Sequence, residues 1–263
     1  MKRFVCFEIV FLSIFSVLFI AATDNLFSHI PYKSAQWKSK TTVQGNAESM
    51  IIEQKVFYKN GKMRTEAEIK NPVSGEKQNT VTIVDDKFIY SYDKNKKQGT
   101  KMSINSEGPM NPEKQNIEML KCRKNAIKKG NEKVNDIQCI IYEYNCMINN
   151  VNFSIIEWRN KDGFPVKTVS KYQNMITTVE TFDLKTNVTL SDLLFKPETD
   201  IKFMDMEKMM GEMKGLKNKS DVQNKKNKIE AVQEKNNDNT NSSEDDVDAG
   251  EMMQNMMKKY MNK

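Results

Sequence analysis

Trp158-Arg159-Asn160-Lys161-Asp162-Gly163-Phe164-Pro165-Val166-Lys167 is the stretch that decides how this chain folds. Val151, Phe153, Ile155, Ile156 and Trp158 lead into it, and β-branched and aromatic residues of this kind fit a pleated, half-buried surface. Asn160-Lys161-Asp162-Gly163 is turn chemistry: Asn and Asp side chains bond their own backbone, and Gly supplies positive φ at no steric cost. Phe164 and Val166 then restart an apolar alternation, so the whole reads as a β-hairpin. Pro165 has no N–H to donate, which predicts that the second strand starts at a sheet edge or where that ladder bond is not needed.

Working outward, short strands separated by turns run from Trp37 to Leu194, the signature of an antiparallel sheet or barrel. Ser49 to Tyr58 is a strand, Asn60-Gly61 a hairpin turn, and the next strand alternates. Met63, Ala67 and Ile69 take one face there, while Arg64, Glu66, Glu68 and Lys70 meet water. Thr80 to Val84 and Phe88 to Tyr92 flank Asp85-Asp86, which reads as a turn rather than a carboxylate pair, because adjacent strand residues face opposite sides. Ile137 to Tyr142 is apolar on both faces and predicts a strand covered twice. One helix interrupts the pattern from Asn111 to Lys128: Pro112 and Glu113 suit its start, Lys124, Lys128 and Lys129 its end, and Gly130 its stop.

The ends differ from the middle. Residues 1–22 read as a secretory signal peptide, with Lys2 and Arg3 before an apolar run from Ile9 to Ala22 and small residues for cleavage near Ala22. A retained anchor needs about 20 apolar residues, and Glu8 shortens this run. Residues 23–216 form the sheet domain and end in a stripe of Met206, Met209, Met210 and Met213 at helical spacing. Residues 217–248 are Lys, Asn, Asp, Glu and Ser with almost nothing to bury, hence a disordered linker. Residues 249–263, with Met252, Met253, Met256, Met257 and Tyr260, read as a Met-rich amphipathic helix.

Export permits disulfides, and Cys122, Cys139 and Cys146 remain after cleavage. On one extended strand Cys139 and Cys146 would lie about 23 Å apart on opposite faces, beyond the reach of a bridge. Cys122 bonded to one of them, or three buried thiols, are the open readings. Cleavage removes two basic residues and one acidic one from 41 Lys+Arg and 35 Asp+Glu, leaving about +5. That modest excess describes a lysine-rich surface with room for peripheral membrane contact; no face interleaves Arg with aromatics as a nucleic-acid site does. His29 is the only histidine, and there is no Gly-x-Ser-x-Gly elbow or metal-ligand spacing, so neither an enzyme nor a metal or cofactor is expected.

The order of signal peptide, Gly61-Lys62-Met63-Arg64, Val81 to Tyr92, the Trp158 to Lys167 hairpin, Thr178 to Leu184 and Leu194-Phe195-Lys196-Pro197 resembles the bacterial outer-membrane lipoprotein carrier and sorting proteins (LolA/LolB-like) over residues 37–205. What the resemblance implies is a mainly β (α+β) fold: an open antiparallel β-barrel, or half-barrel, of about eleven strands over a helical lid, with an apolar hollow for acyl chains. On that reading the protein is a periplasmic binder or carrier of lipid acyl chains or lipoproteins, and inward positions Met63, Ala67, Ile69, Ile83, Tyr90, Ile155, Phe164 and Val166 line the hollow, with Trp158 at its rim. Arg64 would meet a head group, against the plainer expectation of a solvated arginine. The alternative is a non-catalytic envelope protein, structural or sensory, that binds a protein partner through the same fold or its Met-rich terminal helix.

Overall fold

A computed structural model describes residues 27, 29–45, 49–70, 77–105, 111–148, 151–209 and 211. The expected signal peptide, linker and C-terminal helix lie outside these residues, as do Met210 and Met213 of the methionine stripe. The chain divides into two compact units, Met1–Phe203 and Met204–Lys263. In the second, residues 206–209 are helical, and Asp205 caps them by accepting bonds from the backbone N–H groups of Glu207 and Lys208.

The first unit is built from two antiparallel meanders. One consists of β1 (Ser34–Gln44), β2 (Ser49–Lys59), β3 (Lys62–Lys70), β4 (Lys77–Val84), β5 (Phe88–Asp93) and β6 (Gln98–Ser103). The other holds β7 (Ile127–Val134), β8 (Ile137–Ile148), β9 (Val151–Arg159), β10 (Pro165–Tyr172) and β11 (Met175–Thr186). They join where β1 pairs with β11, and with β12 (Lys202–Asp205) the strand order is β12-β6-β5-β4-β3-β2-β1-β11-β10-β9-β8-β7. The sheet is therefore open, with β12 and β7 as edges.

The chain leaves β6 on one flank and enters β7 on the other, so its connection must cross the sheet. Ten flat inter-strand steps would be roughly 48 Å, while α1 (Pro112–Lys124), at 13 residues, spans only about 20 Å. The crossing therefore needs the residues that flank the helix as well. One contiguous apolar cluster runs from Ile89 of β5 through Trp37, Met63, Phe164 and Val166 to Cys139 of β8. Phe27 and Ile30 belong to the same cluster, and Trp37 meets the Phe164 ring edge-on at 5.3 Å.

The helix is shorter than the sequence predicts. Asn111 caps it by accepting from the N–H of Lys114, Arg123 and Lys124 close its last turn, and Asn125 ends it. Lys128, Lys129 and Gly130 belong instead to edge strand β7, with Gly130 at a bulge. An edge strand exposed on both sides shows no alternation, which is why the pattern concealed it. The doubly apolar strand is half-buried on both faces from Ile140 to Tyr142 and alternates cleanly only beyond that. Asp85 is turn chemistry, its carboxylate accepting from the N–H groups of Lys87 and Phe88.

Among the described residues of this unit α1 is the one α-helix, and it packs on β8. Cys122 is bonded to Cys146 with their Cα atoms 5.3 Å apart, and Cys139 is a buried free thiol. Closing a loop of this length is worth on the order of 3 kcal/mol against the unfolded chain. Of the helical lid that the resemblance implies, the described residues show one helix fastened to the sheet.

Candidate functional site

The hairpin that opens the sequence argument also forms one wall of the site. Asn160 organises the turn: its Oδ1 accepts from the N–H groups of Asp162 and Phe164, and its Nδ2 donates to Tyr32 Oη, which in turn donates to Asp162. Gly163 takes φ +82°, the left-handed value that the turn needs. β10 is an interior strand, yet Pro165 fits because it is the first residue of the strand and the register breaks between Pro165 and Lys167.

Register then sorts the side chains. Ile155 and Glu157 lie on the face that α1 covers, and Trp158 lies on the opposite face, its indole N–H donating to Glu132 at 2.7 Å. Beneath the end of α1, Glu157 is 7% exposed and takes part in a buried network. One of its oxygens accepts from Arg123 Nε at 2.9 Å and from Arg159 Nε at 2.7 Å, and the other accepts from Tyr144 Oη at 2.8 Å. Burial by itself would raise the Glu157 carboxyl, but the two guanidiniums more than offset it and hold the group below the usual carboxylate range. Burial and the Glu157 charge push the Tyr144 phenol up, so it stays a donor. Arg123 also reaches the Gly163 carbonyl at 3.1 Å, tying helix to hairpin, and the Arg159 guanidinium lies 4.3 Å from the centre of the Tyr142 ring.

Above this network is a cavity of about 740 Å³, within the range of small-molecule sites. Its apolar wall comes from Pro31, Leu120, Ala126, Ile140 and Tyr142, and its polar wall from Arg123, Lys124, Arg159 and the turn Asn160–Gly163, with His29 beside them. A second cavity, about 860 Å³, lies over β1 to β4 and is lined by Lys38, Lys40, Lys55 and Lys94 against Glu53, Glu66, Glu68 and Asp183, with Ala67, Val81 and Phe182 between them. Among the described residues no cluster of three His, Cys, Asp or Glu could hold a metal ion.

The residues expected to line a hollow are dispersed. Met63, Phe164 and Val166 are 1%, 1% and 0% exposed in the main core. Ile155 packs in a smaller cluster with Met119 and Cys122 of α1. Ile83 and Tyr90 pair with Arg64 and with each other across β3, β4 and β5, and therefore face away from Met63, whose partner is Val84. They pack with Val81, Tyr92, Ile201 and Phe203 on that other side. Ala67 reaches only the charged cavity, and Ile69 is half-buried on β3.

Arg64 overturns the expectation of a solvated side chain, being 6% exposed. Its Nη2 lies 2.7 Å from Glu66, its Nε donates to the same oxygen, and its Nη1 donates to the Leu194 carbonyl at 3.2 Å. It anchors the 3-10 turn Asp192–Phe195, whose Phe195 is buried, and it lines neither cavity. The residues that do build the hairpin cavity, Arg123, Lys124, Arg159 and Lys161, carried one signal in the sequence: two arginines, in a chain where lysine dominates the cations, at a helix end and a strand end.

No family model matches the chain, and no curated protein does. Among solved structures it is similar to an uncharacterized conserved protein from Thermus thermophilus, at 12% identity over 69% of this chain and 95% of that one, TM-score 0.43. A MucA/MucB complex of Pseudomonas aeruginosa is similar at 8% identity over 67% and 60%, TM-score 0.40. A LolA superfamily protein from Nitrosomonas europaea is similar at 12% identity over 64% and 92%, TM-score 0.35. All three scores lie below one half.

Proposed function

We propose that this protein is a non-catalytic, exported binder or carrier of lipid acyl chains, in the manner of the lipoprotein carrier and sorting proteins that its sequence resembles. The observation that carries this reading is the hairpin cavity, a space of about 740 Å³ with an apolar wall of Leu120, Ala126, Ile140 and Tyr142 beside a helix that is fixed in place. Each methylene removed from water contributes about 0.8 kcal/mol, so a stretch of six gives about 5 kcal/mol before the cost of association. Binding at that level needs no covalent step. A rigid wall also lowers the ordering cost, since the site is formed before the ligand arrives.

Native mass spectrometry of the exported protein, purified without detergent, tests the proposal. Mass adducts that dissociate as fatty acids or phospholipids support it. An adduct-free spectrum, together with no uptake of a fluorescent fatty acid, would sink it.

A further inference from the structure

The hairpin cavity holds more positive charge than its own surroundings neutralise. Arg123, Lys124, Arg159 and Lys161 line it, and Asp162 is the one carboxylate among its lining residues. Glu157, behind the wall, is a single carboxylate shared by two guanidiniums. Two held guanidiniums therefore share one buried carboxylate, and two exposed lysines at the rim stand against Asp162. The side chains of Arg123 and Arg159 are 13% and 14% exposed, so water does not discharge the imbalance as it does for a surface lysine. One nitrogen of this cluster, Arg159 Nη2, is buried with no hydrogen-bond acceptor among the described residues, a state that costs free energy. The Tyr142 ring, 4.3 Å away, and the bond from Nε to Glu157 hold that guanidinium in place.

We infer that the cavity recognises an anionic group, a carboxylate or a phosphate, carried on an apolar body, with Arg123 and Arg159 taking the anion, Lys124 and Lys161 drawing it in from the rim, and Leu120 and Ile140 receiving the apolar part. This deepens the acyl-chain reading and rests on it only for the apolar part. The anion brings the local charge towards neutrality. Guanidinium and ammonium groups make charge-assisted bonds to a carboxylate or phosphate that a neutral head group cannot return.

The test titrates the full-length exported protein by calorimetry with decyl phosphate, decanoate, decyl maltoside and inorganic phosphate. The inference predicts that both anionic amphiphiles bind at least about ten-fold tighter than the neutral maltoside. Comparing decyl phosphate with inorganic phosphate separates a lipid source from the free ion. Arg159→Gln could unfold the chain through Glu157, so the deciding variant is K124Q/K161Q, whose two side chains are exposed. It should weaken the anionic amphiphiles about ten-fold, leave maltoside unchanged, and leave the melting temperature unmoved. Equal affinity for charged and neutral probes, or an unaltered K124Q/K161Q variant, overturns this inference while leaving acyl binding intact. Binding of inorganic phosphate that the variant loses, with no amphiphile bound, upholds the anion site and overturns the acyl reading instead.

Discussion

Two cavities lined by described residues of the sheet domain differ in a way that size does not capture. The larger one, about 860 Å³, balances four lysines against four carboxylates on the wet side of β1 to β4. Lys38 and Asp183 pair at 2.8 Å with side chains about 60% exposed, and Lys94 approaches Glu66 at 3.3 Å. The smaller cavity sets an excess of cations on buried arginines that are locked to one glutamate. A solvated ladder of alternating charge is what an antiparallel sheet shows to water, whereas buried charge is costly unless it is paired, and that contrast is why the proposed site is placed in the smaller cavity.

The largest expected effect comes from breaking the buried network. Glu157→Ala leaves Arg123 and Arg159 buried beside each other and should cost about 3–5 kcal/mol in urea unfolding, with helix and hairpin released together. Next is the disulfide: Cys122→Ser should lower stability by on the order of 3 kcal/mol and loosen α1 from β8, read as faster amide exchange from Glu113 to Lys124 on the otherwise intact fold.

Acid should separate the regions as well. Burial tends to raise Glu157, but its two arginines hold it below its ordinary value of 4.5. Burial likewise opposes Arg64 and Lys94 at Glu66, which is also held low. A folded-state pKa below the unfolded one means stability that is complete above the unfolded value and lost as pH falls through the folded one. Urea midpoints should therefore stay level from neutral pH down to about 5 and decline below 4.5, and Glu157→Gln should flatten that decline. Smallest of all, Asp183→Asn in the charged cavity should leave the unfolding midpoint and acyl-chain binding unmoved, because its partner Lys38 is equally solvated.

Much of the architecture was legible in the residues. Period-two alternation and Asn-Gly or Asp-Gly turns gave the meanders, and both the Trp158 hairpin and the cap of α1 follow from local chemistry. Edge strand β7 was not legible, because a strand wetted on both faces carries no periodicity. The faces of Ile83 and Tyr90 were misjudged for a different reason. Alternation fixes the parity within one strand, but the pairing of Met63 with Val84 sets the parity between strands, and no single strand contains that information. Arg64 looked solvated because its acceptor, the Leu194 carbonyl, lies 130 residues away in sequence. The cavity lies where Arg123, next to the bridged Cys122, ties the end of α1 to the hairpin, and the cysteine spacing left the Cys122–Cys146 pairing open.

The central claim is that the smaller, charge-unbalanced cavity takes the ligand and the larger, balanced one does not. Photo-crosslinking with a diazirine-bearing fatty acid, followed by peptide mass spectrometry, measures this directly. Labels on the α1 end and β8, at Leu120, Ala126, Ile140 or Tyr142, are the predicted result. Labels concentrated on Lys55, Ala67, Val81 or Phe182 would contradict it.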